Sequence, residues 1–260
     1  MNRHEWPSHA PYAARFRVED LIPPVPSGKS LKAVFIGESP HRDEVASEEA
    51  DRRTPFRGVA GREWWKELAR INSVMNGKPL ETKPVPSRPV LLELCRELGI
   101  GVMNAVQFPI DPKIVQHQGD YSTPLAHLGF EKATGSGSYK AVFKQSGDEG
   151  PVGLAIRDLA NRLQALQDQS FQIVCLGNDS RWFVDRAVML LPEDAAIRRL
   201  PILPVPHPSS WWRNELYRRR AVDALEGLLG SGAAELGGLA PLTARNGRDG
   251  QAAHHFASLL

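Results

Sequence analysis

The sequence predicts an α/β protein, a three-layer α/β/α sandwich built on a four-stranded, mainly parallel sheet. Three observations carry that prediction. Four short apolar runs, Lys32–Ile36, Ile100–Val106, Phe171–Leu176 and Leu200–Val205, have the length and the Gly or Pro boundaries of buried strands. Amphipathic helical stretches alternate with them, which implies parallel strands covered by helices on both faces. The 260 residues are enough for one large domain with insertions.

Residues 1–30 are polar, dotted with aromatics and rich in proline (Pro23, Pro24, Pro26), and read as an N-terminal arm on a domain spanning residues 31–229. The first strand runs into Gly37-Glu38-Ser39-Pro40-His41, where Pro40 stiffens the loop. His41–Thr54 is a charged loop or short helix, and Pro55–Gly61 a turn with two glycines. Gly61 opens a helix over Arg62–Ser73, whose stripe of Trp64, Trp65, Leu68 and Ile71 suits core packing. Residues 77–89 are Pro-rich and irregular. Val90–Leu98 reads as a helix closed by Gly99. In the second strand Asn104 interrupts an apolar run. An insertion over about 108–150 lacks periodicity and contains the flexible-looking Gly135–Ser138; so long a loop in a compact domain is functional or disordered. Pro151–Gln167 is an amphipathic helix. The third strand ends at Gly177-Asn178-Asp179, with a helix following to Leu190. The fourth opens into Pro206-His207-Pro208-Ser209-Ser210-Trp211-Trp212, followed by a last helix over Trp211–Leu229. Residues 230–260, rich in Gly and Ala, read as a loose tail.

Hydrophobic residues at 42% and charged residues at 24% are ordinary for a soluble globular chain. The apolar runs are too short to span a membrane, and the N-terminus has no apolar segment of the signal-peptide kind, so a cytoplasmic protein is expected. The two cysteines, Cys95 and Cys175, lie in apolar stretches and read as buried thiols in a reducing compartment. They are too few for a structural zinc or an iron–sulfur cluster, which need about four ligands, so no metal or cofactor is expected. A net charge of +2 does not by itself argue for nucleic acid. Arg198, Arg199, Arg213, Arg218, Arg219 and Arg220, however, flank the second loop, where they would suit phosphate contact.

Ligands of open parallel sheets bind beyond the carboxyl ends of the strands. Both polar loops would meet there. A bland alternative has Glu38 capping the next helix and Ser39 making a local turn. A serine hydrolase using Ser39 and His207 is disfavoured, because its tight elbow needs a small residue where this chain has Pro40-His41.

The segments GESPH, TPFRGVAG, GVMNAVQFP and VPHPSSWW, in this order over about Leu31–Arg213, resemble the uracil-DNA glycosylase superfamily. That superfamily carries a G-[DEN]-x-P loop after its first strand and an HPS loop after its last. The resemblance implies a monomeric glycosylase that flips uracil or another deaminated or modified base out of DNA and hydrolyses its N-glycosidic bond. Such a reaction makes the sugar cationic and the departing base anionic. By resemblance, Glu38 is the carboxylate near the sugar and His207 the donor to the leaving base. Phe56 is the stacking platform, Asn104 reads the base edge and His41 lines the pocket. Ser39, Pro40, Pro208, Ser209 and Ser210 pinch phosphates, Trp211 and Trp212 take the wedge position, and Arg213 contacts the DNA backbone. Two departures bear on the substrate. The GE-x-P form is similar to a branch that holds an iron–sulfur cluster this chain cannot build, and His41 stands where relatives carry Gly or Tyr-like residues. Two alternatives stay open: action on hypermodified bases in phage defence, and a catalytically silent nucleic-acid- or nucleotide-binding member.

Overall fold

The computed structural model describes residues 17–25, 30–45, 53–77, 86–108, 150–211 and 213–230. The first part of the arm, most of the Pro-rich stretch after Gly77, nearly all of the insertion with Gly135–Ser138, the tail past Gly230, and Trp212 lie outside the described residues.

Four parallel strands form one sheet: β1 (Ala33–Gly37), β2 (Ile100–Asn104), β3 (Gln172–Leu176) and β4 (Ile202–Val205), in the spatial order β2-β1-β3-β4. The helices are α1 (Arg42–Val45), α2 (Val59–Asn76), α3 (Arg88–Leu98), α4 (Pro151–Gln164), α5 (Asn178–Leu190) and α6 (Glu215–Gly230). β1, β2 and β3 are buried along their whole length, as strands covered on both faces must be.

The period of two along β1 divides the core. Val34 and Ile36 pack with Ile173 and Cys175 against α4 and α5, through Ile156, Leu159, Phe183 and Val184. Ala33 and Phe35 face the other way with Val102 and Val174, against α2, α3 and α6, through Trp64, Leu68, Leu94 and Leu225. Those two helix layers make the three-layer sandwich. Trp64 and Trp65 are both fully buried, with Trp64 meeting Phe35 edge-on. The end of the arm lies along β2: Leu21 and Val102 exchange both backbone hydrogen bonds in an antiparallel bridge.

Several element ends differ from the sequence expectation, each for a local reason. α2 starts at Val59, not Arg62, so Gly61 lies inside its first turn. A Cβ on Gly61 would sit 1.9 Å from the Phe56 carbonyl oxygen, so that glycine serves close backbone approach rather than helix entry. α3 gains a residue pair because Pro89 occupies its first turn, where a missing N–H costs nothing. Its C-cap is Gly99 at φ +69°, as the composition suggests. α6 starts at Glu215, four residues after Trp211. Just before Trp211, Pro208–Ser210 closes a 3₁₀ turn, and the Ser210 carbonyl accepts from the Arg213 and Asn214 amides. The Asn214 side chain then takes the Leu216 N–H at 3.0 Å, starting the helix anew.

Candidate functional site

Met103, Ile36, Cys175 and Pro204 stand in one row across the sheet. The loops carrying Glu38 and His207 therefore leave from the same, carboxyl edge. The chain goes from β1 outward to β2, then returns across β1 to β3 and β4. That reversal puts the switch point between β1 and β3, where open α/β sheets hold their ligands. β3 separates β1 from β4, so the strand carrying Glu38 and the strand carrying His207 run about 10 Å apart. Two backbone bonds carry the β1–β2 ladder past the strand ends: Gly37 O accepts from Ala105 N–H at 2.8 Å and Glu38 O from Val106 N–H at 2.9 Å. Glu38 is thus held by its own main chain, with its side chain half-buried. Ser39 and His41 are also half-buried, and Pro40 is buried.

Over Gly37 two sequence-predicted residues converge. A Cβ on Gly37 would lie 2.3 Å from Phe56 Cε1 and 2.9 Å from Asn104 Oδ1. The ring and the amide oxygen therefore both close on the glycine from above. Phe56 reaches this place in a left-handed backbone conformation, φ +63°, unusual for a bulky side chain and costing on the order of 1–2 kcal/mol. Its ring packs edge-on against Trp64, centroids 5.0 Å apart, and it is 8% exposed. Asn104 is 1% exposed. Its Nδ2 donates to Glu44 Oε2 at 3.2 Å, while its Oδ1 has no hydrogen-bond partner among the described residues. A buried acceptor left so costs about 1–3 kcal/mol until something donates to it. Thr54 Oγ1 and Trp64 Nε1, neighbours of Phe56 in sequence and in packing, are orphaned in the same way. His41 packs its ring on Gly58, where a Cβ would be 2.8 Å from His41 Cγ.

His207 stands exposed at the rim, and its own loop orients it. Ser209 N–H donates to Nδ1 at 3.1 Å, with Ser209 Oγ 2.7 Å from the same nitrogen. A backbone N–H can only donate, so Nδ1 carries the lone pair and the neutral ring keeps its proton on Nε2. Desolvation by the surrounding chain lowers the imidazole's proton affinity and outweighs the opposing charge of Asp179. Ser210 Oγ donates to the His207 carbonyl at 2.7 Å. Gly177, at the end of β3, passes beneath at φ +95°, and a Cβ there would come within 3.1 Å of His207 Cβ. Ring placement thus rests on a left-handed glycine at the end of β3, the strand next to the one that carries Glu38.

The remaining expected DNA-facing residues divide. Trp211 is 2% exposed, its indole N–H donating to Pro206 O at 3.1 Å, so it braces the loop instead of projecting as a wedge. Pro208 is buried. Arg213, Arg199 and Arg220 are exposed, whereas Arg218 is paired with Glu67 at 2.6 Å.

Two residues that the sequence reading passed over join the site. Glu44, 3% exposed, lay in a stretch that looks like a solvated charge run. Arg162 sits on α4 and looks like its polar face, yet its guanidinium donates to Asn104 O at 3.0 Å and Ala105 O at 2.7 Å, and pairs with Asp20 and Asp158. Burial works against its charge, and the two carboxylates more than restore it. Cys95 and Cys175 are buried thiols, the latter pushed up to about 12 by desolvation. Among the described residues no group of three His, Cys, Asp or Glu side chains could hold a metal, and no helix is long and apolar enough to cross a membrane.

Fold and site together define an α/β/α protein with a buried, partly unsatisfied polar cluster at the carboxyl ends of β1 and β2. No protein-family model matches the chain, and no curated protein matches it either.

Proposed function

We propose that the protein is a monofunctional DNA N-glycosylase of the uracil-DNA glycosylase superfamily, acting as a cytoplasmic monomer on DNA without metal or cofactor. The observation that supports this most is the buried, unpartnered Asn104 Oδ1 beside the Phe56 ring, at the edge that also bears Glu38 and His207. A flipped base would meet its stacking surface and its reading group together there. Stacking on Phe56 is worth ~1–3 kcal/mol. Glu38 places negative charge against the cationic sugar or orients the attacking water. The Nε2–H of neutral His207 donates to the base oxygen as negative charge develops on it. Exposed Arg213 and its neighbours contact phosphates.

The test is a panel of oligonucleotides carrying altered bases, incubated with protein and then cleaved at abasic sites by alkali. Glu38→Gln and His207→Ala should each bind DNA normally and lose about 10²–10³ in release rate. Groups acting on the two halves of one separating charge should lose less together than the product of their separate losses. Wild-type rates in both variants would show that the site lies elsewhere.

A further inference from the structure

We propose that Glu44 is a positioning residue that sets which way Asn104 reads its ligand; the inference rests on the glycosylase reading for its substrate but not for its geometry. A carboxamide has a donor end and an acceptor end of nearly equal shape, so its direction is decided by neighbours. Here one neighbour decides it. Both oxygens of Glu44 take N–H groups: Oε1 from the His41 amide at 3.0 Å, Oε2 from Asn104 Nδ2 at 3.2 Å. The first bond is the reach-back half of a capping box, with Glu44 three residues into the turn that His41 opens. It locks the carboxylate in place. The second turns the Asn104 amide so that Oδ1, not Nδ2, lies over Gly37 beside the Phe56 ring. The site therefore presents an acceptor and asks the ligand for a donor.

The lock has a testable inversion. Glu44→Gln is nearly isosteric, and the single oxygen that it leaves must still accept the His41 N–H. The new amide nitrogen then points at Asn104, which must turn its own oxygen to meet it. That swings Nδ2 over Gly37 and converts the reading group from acceptor to donor. Adding Asn104→Asp repairs the pattern. The amide introduced at position 44 donates to one oxygen of the carboxylate introduced at position 104, and the other oxygen again faces Phe56 as an acceptor. Asn104→Asp alone sets two carboxylates against each other and should fail.

The experiment compares wild type, Glu44→Gln, Asn104→Asp and the double variant by two readouts. The first needs no substrate: nuclear Overhauser contacts of the Asn104 side-chain amide protons, in wild type and Glu44→Gln. They should lie against residue 44 in wild type and against the Phe56 ring in Glu44→Gln. The second is release of uracil, whose ring N–H donates, relative to cytosine, whose ring nitrogen accepts, from matched oligonucleotides. Glu44→Gln should lower that ratio by about tenfold or more, and the double variant should return most of it. If no altered base is released by wild type, the glycosylase reading fails while the amide contacts still judge Glu44. Unchanged contacts in Glu44→Gln, or an unchanged ratio with the fold intact, would overturn the proposal.

Discussion

Gly37→Ala adds one carbon at the point where the site is tightest. The new Cβ would lie 2.3 Å from Phe56 Cε1 and 2.9 Å from both Phe56 Cζ and Asn104 Oδ1. Carbon atoms rest at about 3.5–4.0 Å, so the ring must retreat by more than about 1 Å. It has little room to do so. Trp64 stands against one edge, and the Phe56 carbonyl is pressed on Gly61, where even a Cβ does not fit. Asn104 is held from one side by Glu44 and from behind by Arg162. Overpacking of this kind costs about 1–3 kcal/mol. At about 2–4 °C per kcal/mol for a domain of this size, the melting temperature should fall by roughly 2–12 °C. Base release should fall further than stability implies, because ring and amide move together. Calorimetry and single-turnover release measure the two effects. Phe56→Ala in the Gly37→Ala background supplies the control: with the ring gone the new methyl has space, so the pair should cost less than the sum of its parts. A Gly37→Ala protein with unchanged melting temperature, or strict additivity with Phe56→Ala, would refute the packing argument.

Two further outcomes follow from the geometry. His207 should titrate below its usual value of 6.5 and keep its neutral proton on Nε2; its stability contribution is then full above 6.5 and lost as pH falls through the folded-state value. Nitrogen-15 NMR of the ring reads both, and a midpoint above 6.5 or a proton on Nδ1 would contradict that tautomer. Arg162→Met should cost about 3–5 kcal/mol in urea denaturation, since it strands Asp20 and frees the carbonyls of Asn104 and Ala105, and a loss under about 1 kcal/mol would mean the clamp is ornamental.

The sheet was legible because strands buried on both faces, as β1, β2 and β3 are, must be nearly continuous apolar runs, and the half-buried β4 still stands as an apolar run ended by Pro206. Helix ends were less so. The last helix could not be placed at Glu215 without knowing that His207 and Ser210 close a turn of their own. At the site, Asn104 was legible because an amide inside an apolar strand demands a partner. Glu44 and Arg162 were not, because nothing local separates a buried charge from a solvated one; only the partners, 60 and 142 positions away, make the difference. Phe56 was singled out by the resemblance of its PFRGVAG segment, whereas its left-handed backbone was not foreseen, since phenylalanine does not prefer that conformation and the close approach of Gly61 to its carbonyl shows only in three dimensions. Trp211 misled for a related reason: next to a polar loop an indole can project outward or brace from within, and the Pro206 carbonyl that chooses is a matter of three dimensions.

The latch between Asp20 and Arg162 has a consequence in time. The two residues are 142 positions apart, and a ribosome adding about 5–20 residues each second takes roughly 7–30 s to travel that distance. Over the last 58 of those positions, once Asn104 has been made, β2 is an edge strand whose antiparallel partner among the described residues, Leu21, is tethered by its bridge to Val102 but not yet by the arginine. Unpaired edges in nascent chains are where neighbouring chains join wrongly. The strand that carries Asn104 is thus open to mispairing during synthesis, and it becomes secure only when α4 has been made.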